Sequence, residues 1–253
     1  LIVAALKDRL AIVADGQDAT SLLAGLEPEL TAEAERLWVE ALDLEPGNER
    51  VRAYLRQVRG ERIMPLVSFH PGNTMSEVES LLARAAELGV RGVKLHPMYQ
   101  GFFIDDRGMY PLYQLIEHFG FFVVFHTGYD IAFPGNAQAD VERIRTIAME
   151  FRDLTIVTTH VGGWRQWDRA GILGACGNVY TETSMTLTEM TDEEFVRTLL
   201  KFDEDRVLFG SDSPWTDQKE MLERTQRLRL PERRREKMLY RNAAALLGTG
   251  GPS

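Results

Sequence analysis

The chain has 253 residues, a net charge of −9 and a single cysteine, Cys176. This length suits one large α/β core, so residues 1–253 are expected to form one domain, and the acidic balance speaks against a nucleic-acid surface, which needs a basic patch. With no apolar run near the roughly 20 residues of a membrane span, no cationic leader with a cleavage site and no cysteine pair, the expected address is the cytoplasm, away from membranes.

The first 60 residues carry weaker signals than the rest. Leu10 to Val13 reads as a strand, and Thr31 to Leu42 and Asn48 to Val58 read as amphipathic helices joined by a turn at Glu45, Pro46, Gly47 and Asn48. From residue 61 onward the pattern becomes a regular alternation. Arg62 to Phe69 predicts a strand, and Met75 to Leu88 a helix with Val78, Leu81, Leu82 and Ala85 on one face, a Thr74/Glu77 capping box and Gly89 as its stop. Val90 to Leu95 predicts the next strand. Pro111 suits a first helical position, Leu112, Leu115, Ile116 and Phe119 form an apolar stripe, and Phe121 to Phe125 is the strand that follows Gly120.

The alternation continues with a helix marked by Val141, Ile144, Ala148 and Phe151, then strands at Leu154 to Thr159 and Asn178 to Glu182. A helix capped by Thr191 and Glu194 and carrying Phe195, Leu199 and Leu200 leads to a strand at Arg206 to Gly210. Six strands spaced by helices imply parallel crossovers, hence a barrel or a doubly wound sheet. The basic run from Arg227 to Arg241, interrupted by Glu232 and Glu236, reads as a solvated helix face. His70 reads as a loop residue, and His118, off its helix's apolar stripe, as solvated.

Three of these apolar runs close on metal-type side chains: His126, His160 and Asp212. Runs rich in β-branched and aromatic residues are strands buried on both faces, and polar groups just past their carboxyl ends meet on one rim of a parallel barrel. Two imidazoles and a carboxylate suit zinc or a similar first-row divalent cation, whose charge lowers the pKa of a bound water to about 7. Asp212 could then move a proton between that water and a leaving group, with His160 as a donor to the substrate. Read singly, either histidine could cap a turn and Asp212 could initiate one.

Residues 92–97 (Gly-Val-Lys-Leu-His-Pro), 124–128 (Val-Phe-His-Thr-Gly), 159–163 (Thr-His-Val-Gly-Gly), 208–215 (Leu-Phe-Gly-Ser-Asp-Ser-Pro-Trp) and 241–248 (Arg-Asn-Ala-Ala-Ala-Leu-Leu-Gly) resemble, as an ordered set, the amidohydrolase-2 branch of the amidohydrolase superfamily. The resemblance implies a distorted (β/α)8 TIM barrel with one or two divalent metals, zinc first and manganese second, at its carboxyl rim. It maps a metal ligand onto His126, a ligand or acid/base group onto His160, and a ligand that shuttles a proton onto Asp212. The His-x-His pair that the family carries after its first strand has no counterpart here. Either that strand precedes the displayed Leu1, in line with about seven strand signals where a closed barrel needs eight, or the pair has been lost and metal binding with it.

Lys94 and His96 lie beside a strand end as candidate substrate contacts, Lys94 also being the type of residue that related branches carboxylate to bridge two metals. Tyr99, Trp164, Arg165 and Trp215, with Phe102 and Phe103, fall in loops after the strands and would suit a small flat or apolar substrate with an anionic group; ordinary loop packing is the alternative for each. Three functions remain open: a metal-dependent hydrolase of a small amide, ester or lactone, a non-oxidative decarboxylase of an aromatic or unsaturated acid like the aminocarboxymuconate semialdehyde decarboxylase relatives, and a non-catalytic barrel without metal. The oligomeric state is not legible in the sequence; the resemblance implies a homodimer as one possible assembly.

Overall fold

The computed structural model describes residues 66–213 and 215–248. The strand expected at Leu10 to Val13, the helices at Thr31 to Leu42 and Asn48 to Val58, and the start of the Arg62 to Phe69 strand lie outside them. Helix α1 (Met75–Glu87) comes first, then β1 (Gly92–Leu95), α2 (Tyr110–His118), β2 (Phe122–Phe125), α3 (Val141–Glu150) and β3 (Ile156–Thr158). A short α4 (Gly171–Gly174) leads to β4 (Val179–Glu182), α5 (Thr186–Glu189), α6 (Asp192–Leu199) and β5 (Val207–Leu208). Helices α7 (Gln218–Arg227), α8 (Glu232–Glu236) and α9 (Asn242–Leu247) follow, with a π-helical stretch at Lys237–Arg241 between the last two.

The five strands form one sheet in chain order, every neighbouring pair parallel. Beside β1 the expected Arg62 to Phe69 strand contributes a parallel bridge between Val67 and Val93, with Val67 N–H donating to Gly92 O (3.0 Å) and Lys94 N–H to Val67 O (2.8 Å). The five observed strands lie within the expected ones and are shorter by one to three residues.

Both faces of the sheet are buried, as the unbroken apolar runs require. Val93, Leu95, Val123, Phe125, Ile156, Val179 and Val207 face the larger cluster, with Leu82, Tyr113, Ile116, Ile144 and Ile147 from the helices. Full burial of such a side chain stabilises the fold by about 1.5–3 kcal/mol. Phe122, Val124, Val157 and Leu208 face the other way and form a smaller cluster with Tyr180, Leu246 and Leu247. The register pairs Lys94 with Val124 and Val124 with Val157, so Lys94 is on this second, inward face.

Local chemistry sets the element ends. Thr74 Oγ1 accepts from Glu77 N–H while the Glu77 carboxylate accepts from Thr74 N–H (2.7 Å), the capping box expected of α1; Thr191 and Glu194 repeat it for α6. Leu200, expected in the α6 stripe, is instead exposed at the C-cap position, because the helix ends at Leu199. Asn178 Nδ2 donates to the carbonyls of Ala148, Phe151 and Leu154, closing the end of α3 onto the sheet.

The basic run is not a solvated face throughout. Arg234 donates to Leu199 O and Phe202 O at the end of α6, Arg235 to Leu228 O and Leu230 O, and Lys237 pairs with Glu204 and Asp205. Carbonyls left over at helix and loop ends draw these cations inward. Among the described residues, no helix is long and apolar enough to cross a membrane.

Candidate active site at the strand ends

Inward-facing positions alternate along each strand, and the alternation continues past the strand ends. From Lys94 it reaches His96, from Val124 it reaches His126, from Tyr180 it reaches Glu182, and from Leu208 it reaches Gly210 and Asp212. Parallel strands bring all these ends to one rim. His96, His126, His160 and Asp212 are all buried there, at 3, 7, 2 and 8% exposure. The His96 and His126 rings stack at 4.3 Å, and His160 approaches His126 with Nε2 3.4 Å from His126 Nδ1.

His160 would fall off the inward series if β3 ran straight. It reaches the rim through a left-handed kink, with φ of 59° at His160 and 50° at Val161. Asp212, at φ 55°, is bent in the same way. For residues with a Cβ such conformations are costly, on the order of 1–3 kcal/mol each, and persist only where the surroundings over-determine them.

Here the surroundings do so. Beyond the sheet, the loops after β2 and β3 zip together: Thr127 Oγ1 donates to Thr159 O (2.8 Å), Trp164 N–H to Thr127 O (2.9 Å), and Tyr129 N–H to Trp164 O (3.0 Å). A parallel bridge joins Gly128 to Trp164. The Trp167 indole N–H then clamps His160 O at 2.8 Å.

Main-chain carbonyls fix the two imidazoles. His126 Nε2 is 3.0 Å from Tyr129 O, and His160 Nδ1 is 3.1 Å from Ser184 O. A carbonyl only accepts, so in the neutral rings the network assigns the protons to these outer nitrogens. The inner nitrogens, His126 Nδ1 and His160 Nε2, therefore present lone pairs to each other. Two nitrogens bound at 2.0–2.1 Å to one tetrahedral ion sit about 3.3–3.4 Å apart, so the donor pair fits a divalent cation.

A second grouping overlaps the first. His96, His126 and Asp130 offer ligand atoms all within 4.8 Å of one another, and Asp130 Oδ2 is 3.5 Å from Nε2 of both histidines. Burial pushes the Asp130 carboxyl up, but the hydrogen bond from His96 and the charge of His126 outweigh it and hold the group below its ordinary range. Asp212 is not among the donors of this tighter cluster.

The amidohydrolase family profile, in its amidohydrolase-2 branch, matches residues 19–249. The chain belongs to the amidohydrolase family. Solved structures agree on a TIM-type barrel. A TIM-barrel protein of uncharacterised role from Bordetella bronchiseptica is 28% identical, with a TM-score of 0.66 over 78% of this chain and 72% of its own. A 5-carboxyvanillate decarboxylase from Novosphingobium aromaticivorans, solved with bound manganese, is 15% identical, with a TM-score of 0.63 over 79% and 70%. A protein from Pseudomonas putida, provisionally assigned as a 2-pyrone-4,6-dicarboxylic acid hydrolase, is 22% identical, with a TM-score of 0.56 over 83% and 80%. No curated protein matches the chain.

The remaining candidate residues of this amidohydrolase divide by burial. Lys94 is buried on the inward face. Tyr99 meets the edge of the His96 ring at 4.6 Å and Phe133 at 4.8 Å. Trp164 is buried under the Arg165 guanidinium (4.2 Å), while Arg165 itself is exposed and paired with Glu189 at 2.8 Å. The Trp215 side chain is half exposed, and its backbone N–H donates to Asp212 O. Phe102 is buried, and Phe103 is exposed beneath Arg143.

Sequence reasoning missed Asp130, Glu182 and Ser184. Asp130 had a faint signal, a carboxylate four residues after His126 in the same loop. Glu182 closes a strand just as the histidines do, and could have been read by the same rule. Ser184 carries no signal of its own. Among the described residues, His96 Nδ1, Trp164 Nε1 and Ser211 Oγ are buried without a hydrogen-bond partner, which places three unsatisfied polar atoms in the segments that follow β1, β3 and β5.

Proposed function

We propose that this amidohydrolase is a metal-dependent hydrolase of a small lactone, ester or amide. The observation that carries the reading is the pair of inward nitrogens on His126 and His160, 3.4 Å apart with their outer nitrogens bound to carbonyls. Those two residues would hold a divalent cation, zinc first and manganese second, with Asp212 as the third expected ligand. Such a cation supplies Lewis acidity towards a carbonyl and an acidified water at neutral pH.

The chain's own groups do the rest. Asp212 accepts a proton from the attacking water and returns it to the leaving group. Lys94 and His96 bind the substrate's anionic or carbonyl oxygens from the inward face, where a low dielectric strengthens each contact. Tyr99 and Trp164 flank the substrate's flat surface, with Arg165 and Trp215 at the mouth. The neighbour assigned to a pyrone dicarboxylate, at 22% identity, supports a lactone among the candidates. The partner is a small molecule, and a homodimer is the proposed assembly.

A second reading, a non-oxidative decarboxylase of an aromatic acid, is favoured by the manganese-bearing carboxyvanillate enzyme and by the aromatic side chains around His96. One experiment separates the two. The purified protein, loaded with zinc or manganese and its metal content measured, is offered a panel of lactones, esters and amides, and a panel of ortho-hydroxy aromatic acids with detection of carbon dioxide. Ring-opening or ester cleavage supports the hydrolase, carbon dioxide release the decarboxylase, and failure to retain either metal overturns both.

A further inference from the structure

We infer that Glu182 and Ser184 are positioning residues that lock His160 in the tautomer with its proton on Nδ1, so that the two histidines of the rim cannot satisfy one another. The inference deepens the metal reading and borrows its site, but it concerns a state of the metal-free protein that can be observed directly.

Glu182 ends β4 and is 5% exposed, and Ser184 is 3% exposed. The Glu182 carboxylate accepts three hydrogen bonds: from His160 N–H (2.9 Å), from Ser184 N–H (2.7 Å) and from Ser184 Oγ–H (2.6 Å). A carboxylate only accepts, so the Ser184 hydroxyl hydrogen is directed at Glu182. The hydroxyl oxygen is left to accept, and its neighbour at 3.0 Å is His160 Nδ1. Ser184 O, 3.1 Å from the same nitrogen, also accepts. Nδ1 thus faces two acceptors and must carry the hydrogen.

Without the lock the ring has another option. Moved to Nε2, the same proton would form a hydrogen bond to His126 Nδ1 across the 3.4 Å gap. Both inner lone pairs would then be consumed within the protein. Holding the proton on the far side leaves the Nε2 lone pair, the one a cation would use, on the inner face, as partners behind metal-binding histidines generally do.

Two further observations tie Glu182 to this task. Its grip on His160 N–H, with Val161 N–H donating to Glu182 O (2.8 Å), holds the left-handed segment in place. Space for the carboxylate is also made on β5: a Cβ at Gly210 would come within 1.7 Å of Glu182 Oε2. A side chain at residue 210, two before Asp212, would therefore displace the Glu182 carboxylate from this position.

The test is 15N NMR of histidine-labelled, metal-free protein. Only five histidines are present, and His160→Gln assigns the signal. Wild-type His160 is expected as the Nδ1–H tautomer. Glu182→Gln, which lets an amide donate to Ser184 Oγ and turn that hydroxyl towards the ring, shifts the population to Nε2–H and weakens Zn2+ binding by about 10- to 100-fold. Ser184→Ala moves both in the same direction, and Ser184→Thr, which restores the hydroxyl, returns both.

An Nε2–H tautomer in the wild type overturns the inference outright, whatever the variants do. So do unchanged spectra and Zn2+ affinity in folded Glu182→Gln and Ser184→Ala, even with Zn2+ bound normally, which would leave the metal reading standing. A wild type with the expected tautomer, variants that shift it, and no Zn2+ binding would uphold the lock and sink the metal reading instead.

Discussion

Gly128 lies so close against Trp164 that a Cβ at residue 128 would stand 2.2 Å from the Trp164 amide nitrogen. Its φ of +86° is also one that residues with a Cβ rarely adopt. Gly128→Ala should therefore push apart the zipped loops that carry His126 and His160, destabilising the fold by well over about 1 kcal/mol. Urea unfolding checks the stability, and Zn2+ affinity should fall in parallel; an unchanged midpoint would show that the loops give way without consequence.

His126→Ala and Asp212→Ala test the proposed chemistry. His126→Ala is expected to lose most of the bound metal, read by elemental analysis, and all activity. Asp212→Ala should lower turnover by at least about 100-fold, the lower end of what proton transfer by a placed side chain contributes. Wild-type rates in either variant would contradict the assignment.

Glu77 and Glu194 set an acid-side dependence. The Thr74 backbone N–H and then its hydroxyl hold the Glu77 carboxyl below the ordinary glutamate range, and Thr191 does the same for Glu194. A lowered folded-state value means stability that is present above the unfolded-chain value of about 4.3 and is lost as pH falls through the folded one. Glu77→Ala and Glu194→Ala should therefore unfold over a shallower pH slope below about pH 4.3, with little added change between pH 6 and 8; circular dichroism during acid titration measures it.

Asn178 serves three carbonyls from one amide. Asn178→Leu leaves them without that donor in a partly buried turn and should destabilise the fold by about 1–3 kcal/mol. Thermal unfolding gives the value, and no change would mean that water replaces the amide at no cost.

The barrel-type alternation and its strand ends were legible because their signals are continuous. Phe122–Phe125 is buried on both faces, so its apolar run is unbroken and the next polar residue, His126, marks the rim; Ile156–Thr158 is β-branched throughout and equally buried, with His160 two residues beyond it. Element ends at Thr74 and Thr191 were legible because caps have local chemistry. Asp130, Glu182 and Ser184 were not, because their partners come from other strands and loops and no spacing in the chain announces them. Arg234 and Arg235 misled for the same reason: a basic run looks solvated until a neighbouring helix end supplies the carbonyls.

The left-handed backbone at His160 and Asp212 sets foldability against chemistry at two positions. A design procedure that scores only how comfortably each residue occupies its backbone would nominate glycine or asparagine at both, and would report an improved scaffold. Engineering this barrel for endurance therefore has to exempt those two positions from the scoring, since what the backbone resists there is what turns an imidazole and a carboxylate towards the rim.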